Sequence, residues 1–137
     1  MRAFAAESGA EPFRFAVERR GGSCLITVRG EFDMRCARRL ESLVESLGDI
    51  AGACIVLDVA KVTFIDSSGV RTILALEARS RREGFDFAII PGRGQVERVF
   101  RVTGLERGVR LVEGLDEALQ DAGGGTRTPT GLKPTSS

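Results

Sequence analysis

The chain has 137 residues, 42% of them hydrophobic and 28% charged, the balance of one globular domain with room for a real core. A net charge of +1 leaves no long-range field to gather nucleic acid or a membrane surface, and no apolar run reaches the length of a membrane span. There is no histidine, so the commonest general base is missing. The three cysteines, Cys24, Cys36 and Cys54, have no paired spacing that would suggest a disulfide framework or a metal site.

The first residues, 1–12, are small and polar and are expected to be irregular; Met1-Arg2 followed by Ala3-Phe4-Ala5-Ala6-Glu7 is too short and too polar for a signal peptide. Phe13-Arg14-Phe15-Ala16-Val17-Glu18 alternates apolar and polar and predicts a half-exposed strand. Gly21-Gly22 is a hairpin turn, and Cys24 to Val28 is the returning strand. Gly30-Glu31-Phe32-Asp33 is a polar loop whose aspartate suits a helix N-cap. Ala37, Leu40, Val44 and Leu47 then recur at helical spacing until Gly48.

Cys54-Ile55-Val56-Leu57-Asp58-Val59 is almost unbroken apolar sequence rich in β-branched residues, which predicts a strand buried on both faces of a parallel sheet. Val70, Ile73, Leu74 and Ala78 predict the inner face of a helix running to about Arg82, and Ile55, Leu57, Ile73 and Leu74 are expected in the core. A strand over Phe85 to Ile90, a helix over Gln95 to Thr103, an edge strand over Val109 to Val112 and a final helix from Leu115 to Ala122 follow. From Gly123 onward almost no residue is apolar, so the segment 123–137 is expected to be disordered. The order β-β-α-β-α-β-α-β-α predicts an α/β domain over 13–122, with a mostly parallel sheet and an antiparallel edge hairpin.

The polar junction Asp66-Ser67-Ser68-Gly69 lies where the central strand hands over to a helix. Sites in open α/β sheets gather at the carboxyl ends of strands, and a helix beginning there would aim free N–H groups at whatever sits on the serines. Gly69 would let the backbone turn tightly. The same residues also suit a simple helix cap with no further role.

Val56-Leu57-Asp58-Val59 together with Val62-Thr63-Phe64-Ile65-Asp66-Ser67-Ser68-Gly69 resembles the signature of the STAS domain family, and most nearly its stand-alone anti-sigma-factor antagonists. Gly30-Glu31-Phe32-Asp33 and Thr103-Gly104-Leu105 resemble two further family segments. The resemblance implies a cytoplasmic regulator without cofactor rather than an enzyme. Ser67 would be phosphorylated by an anti-sigma factor with serine kinase activity. The unphosphorylated form would bind that partner and free a sigma factor, and a serine phosphatase would reset the switch. Asp33, Asp66, Ser67, Ser68, Gly69, Val70 and Arg71 would form the partner surface, because both loops open at one edge of the sheet.

Other readings fit less well. A serine hydrolase lacks a base, since there is no histidine and neither Lys61 nor Lys133 has a placement near Ser67. A receiver domain with Asp66 as phosphoacceptor would need an acidic pair after the first strand and a lysine on the last. A STAS subunit of another complex, such as a stress-signalling scaffold or lipid-transport component, is the remaining alternative.

Overall fold

The computed structural model describes residues 2–5 and 12–123. Its elements run β1 (Arg2–Ala5), β2 (Phe13–Arg20), β3 (Ser23–Phe32), α1 (Met34–Glu45), β4 (Cys54–Ile65), α2 (Ser67–Glu83), β5 (Asp86–Ile90), α3 (Gln95–Val102), α4 (Leu105–Gly108), β6 (Arg110–Leu111) and α5 (Leu115–Gly123). One six-stranded sheet carries the strands in sequential order. β1, β2 and β3 pair antiparallel, and β3 through β6 pair parallel. This is the α/β sheet expected, mostly parallel with an antiparallel edge.

The period of two in β4 distributes the core. Ile55, Leu57 and Val59 point to the layer holding α1 and α2, where they meet Leu40, Val44, Ile73 and Leu76. Cys54 and Val56 point the other way, into a smaller cluster with Ala88, Val112, Leu115 and Ala118 under α5. A strand covered on both faces must be apolar at successive positions, which is why this run reads as continuous. All three cysteines are buried and none is in a disulfide; burial pushes the Cys24 thiol pKa up, so it stays protonated.

Four expectations need correction. The amino-terminal segment is not irregular throughout: Arg2–Ala5 forms an edge strand against Phe15 to Glu18. Residues 6–11 and the expected tail over 124–137 lie outside the described residues. The central strand does not stop at Val59 but continues to Ile65, because β3 also runs long and pairs Glu31 with Phe64 and Phe32 with Ile65. Thr103 does not lead straight to the last strand. Gly104, at φ 78°, turns the chain into the extra helix α4 and so buries Leu105. Finally, Leu74 and Ala78 do not lie on the inner face of α2: Leu74 is 47% exposed and Ala78 is exposed. The buried face of α2 is Gly69, Thr72, Ile73, Leu76 and Ser80. Two of these are small polar residues whose hydroxyls have partners: Thr72 donates across to Glu41 of α1 at 3.3 Å, and Ser80 donates to the Glu77 carbonyl of its own helix at 2.6 Å.

Candidate functional site

The parallel pairing of Phe32 with Ile65 brings the carboxyl ends of β3 and β4 side by side. Each strand is followed by an aspartate, and each aspartate starts a helix. Asp33 caps α1, its carboxylate accepting from the Cys36 N–H at 3.1 Å. Asp66 caps α2, its carboxylate accepting from Ser68 N–H at 2.9 Å and Gly69 N–H at 3.2 Å. The Asp66 N–H in turn donates to the Phe32 carbonyl at 3.3 Å, tying the two junctions together. Two helices thus begin next to each other with their positive ends at one edge of the sheet.

Ser67 is the first residue of α2 and is exposed, whereas Ser68 is half-buried and its hydroxyl sits 3.5 Å from the Arg71 guanidinium. Of the two serines Ser67 is therefore the more exposed. The N–H groups of Ser68 and Gly69 are not free for a phosphate on it, as the sequence suggested, because Asp66 already holds them. The positive end of the helix dipole favours added negative charge there, while the Asp66 carboxylate directly beside it opposes it.

Gly69 is required for a different reason from backbone freedom, since its φ is not positive. A Cβ there would stand 2.6 Å from Ile65 Cγ1 and 2.9 Å from the Phe32 carbonyl oxygen, so α2 can approach β3 and β4 this closely only without a side chain. Val70 is half-buried and Arg71 exposed. Leu74 lies on the same stripe as Ser67 and Arg71, at helical positions i, i+4 and i+7, and is exposed like them. Met34, 51% exposed, adds an apolar side chain in the first turn of α1, next to Asp33. Sequence reading assigned Leu74 to the core on its hydrophobicity; its phase with Ser67 is the signal that places it at the surface.

Removing the Asp66 side chain takes away the partner of two helix N–H groups. We expect Asp66→Ala to lower stability by about 0.5–2 kcal/mol in denaturant unfolding, with the loss concentrated in the first turn of α2 by amide exchange.

Comparison with known proteins agrees with this architecture. The model of the STAS domain matches residues 14–118. The anti-sigma-F factor antagonist RsfB of Mycobacterium tuberculosis is 27% identical over 107 residues, covering 76% of this chain and 84% of that protein. The crystal structure of an anti-sigma factor antagonist from Mycobacterium paratuberculosis superposes with a TM-score of 0.68 at 27% identity, covering 85% of this chain and 98% of the other. The unphosphorylated form of the anti-sigma factor antagonist SpoIIAA, a Bacillus cell-fate determinant, shares the fold at 20% identity, with a TM-score of 0.65 and coverage of 82% and 99%.

Proposed function

The chain belongs to the STAS domain family, and from that premise we propose that it is an anti-sigma-factor antagonist whose binding is switched off by phosphorylation of Ser67. The partner is an anti-sigma factor with serine kinase activity, and a serine phosphatase restores the binding form. Sigma factor is released by competition for the anti-sigma factor, so the protein needs no contact with nucleic acid, works in the cytoplasm and catalyses nothing itself.

The observation that carries this reading is the exposure of Ser67 at the start of α2 beside the Asp66 carboxylate. A partner fitted to a neutral hydroxyl and one carboxylate meets about 1.5 to 2 further negative charges after phosphorylation. Both mycobacterial relatives at 27% identity carry the antagonist name, which supports the same role here. A receiver-like role for Asp66 is weakened by geometry, since its carboxylate is occupied as a helix cap. Hydroxylamine separates the two: a phosphoaspartate is cleaved by it and a phosphoserine survives.

The docking face comprises Asp33, Asp66, Ser67, Ser68, the first turn of α2 with Gly69, Val70 and Arg71, and, from its position, Leu74. Amide shift perturbation by the anti-sigma partner tests it; changes at these residues support the face, and changes confined to α5 refute it. Leu74→Ala separates contact from folding. Because the side chain is half exposed, we expect unfolding free energy within about 0.5 kcal/mol of wild type. Affinity for the anti-sigma partner is expected to fall by about tenfold or more, the behaviour of an apolar anchor.

A further inference from the structure

The ladder between β4 and β5 stops at Asp58 and Ile90, yet β4 continues to Ile65 with β3 on one side only. The backbone of Ile65 would therefore face a missing strand on its other edge. Gln95, the first residue of α3, fills that place. Its side-chain Oε1 accepts from the Ile65 N–H at 3.0 Å and its Nε2 donates to the Ile65 carbonyl at 2.9 Å, the same pair of bonds a neighbouring strand would make. Both of these side-chain bonds go to Ile65 in β4 rather than to the first turn of α3. The loop before it is shaped to reach β4. A Cβ on Gly92 would stand 2.9 Å from the Val59 carbonyl oxygen and 2.6 Å from Val96 Cγ1, so only glycine allows the approach.

Ile65 is also the residue against which α2 starts. Its side chain is 1% exposed and fills the space where a Gly69 Cβ would be, and its chain neighbour is the capping Asp66. We infer that Gln95 is a positioning residue for the Ser67 junction: it fixes the Ile65 peptide, and through Ile65 it fixes Asp66 and the first turn of α2. Calling that junction the switch rests on the function proposed above; the brace itself does not.

Amide hydrogen exchange on the free full-length protein tests the brace without kinase or partner, so either idea can fail without the other. Gln95→Met keeps the side-chain volume and removes both bonds. We expect its melting temperature to stay near wild type, while Ile65, Ser68 and Gly69 amides exchange at least about tenfold faster and Val56 and Leu57 do not change. Glu97→Ala, an exposed position on the same helix, should change none of these. Gln95→Glu keeps an acceptor for the Ile65 N–H and loses the donor to its carbonyl. It covers the case in which the methionine variant does not fold: Ile65 should stay protected while Ser68 and Gly69 exchange faster. Wild-type exchange at Ser68 and Gly69 in the variants would overturn the inference. So would acceleration spread equally over Val56 and Leu57, which would make Gln95 a contributor to general stability only.

Discussion

Ser67→Asp is expected to fold like wild type and to bind the anti-sigma partner about a hundredfold more weakly or worse, while Ser67→Ala binds at close to wild-type affinity. The two substitutions differ in charge at one exposed site. Ser67 lies outside the core, at the first position of α2, so neither variant opens a cavity. The added carboxylate meets the positive end of the helix dipole, which offsets its cost to folding by a few tenths of a kcal/mol. On the partner side the balance reverses. The Asp66 carboxylate is already there, half-buried and fixed by two N–H groups, so it cannot swing away from a second negative charge. Disturbing a close, desolvated charge contact at an interface costs about 2–5 kcal/mol, and each 1.4 kcal/mol is tenfold in affinity. One carboxylate carries less charge than a phosphate, so the aspartate variant marks the smaller limit of the effect. Binding measured by titration calorimetry, with circular dichroism to check the fold, decides the matter. Equal affinities for Ser67→Asp and Ser67→Ala would remove the electrostatic basis of the switch.

Leu57→Ala should be among the most damaging core truncations, lowering unfolding free energy by about 2–5 kcal/mol. Leu57 is 1% exposed in β4, which has parallel neighbours on both sides and apolar layers on both faces. Ile26 of β3 and Ile89 of β5 are its register partners, and helices cover the face it points to. Its neighbours are held in paired strands and packed helices and relax only partially, so the cost includes a cavity as well as the lost burial. Ile55→Ala, on the same face and as deeply buried, should behave alike. A loss well under 1 kcal/mol at Leu57 would mean that this strand is not the centre of the core.

How far the sequence revealed this arrangement depends on whether a feature is local. The run from Cys54 to Val59 was legible because a strand buried on both faces has to be apolar at successive residues. The Gly21-Gly22 hairpin and the Asp33 cap were legible because turn and cap chemistry involves neighbours in the chain; at the second junction Asp66, Ser67 and Ser68 were all candidate caps, and the structure gives that place to Asp66. The continuation of β4 to Ile65 was not, because Lys61 and Thr63 break the apolar pattern and the strand is held there by pairing with β3. The inner face of α2 was misread for a related reason. Hydrophobicity favoured Leu74, but the helix packs with Thr72 and Ser80 inward, at positions where hydrogen bonds make a small polar residue acceptable. That rotation bears on the proposed docking face, because it turns Leu74 out beside Arg71 and Ser67. Gln95 left no signal at all: its two bonds reach 30 residues back along the chain. The edge strand Arg2–Ala5 was equally silent, since four residues become a strand only through the partner they pair with.

The most direct test of the account is to titrate the anti-sigma kinase with two forms of the full chain, one unphosphorylated and one carrying phosphate located on Ser67 by mass spectrometry. The account predicts that the unphosphorylated form binds and the Ser67-phosphorylated form binds at least about a hundredfold more weakly, with its fold unchanged by circular dichroism. Equal binding of the two forms, or phosphate arriving on Ser68 or Thr63 with Ser67 untouched, would contradict it.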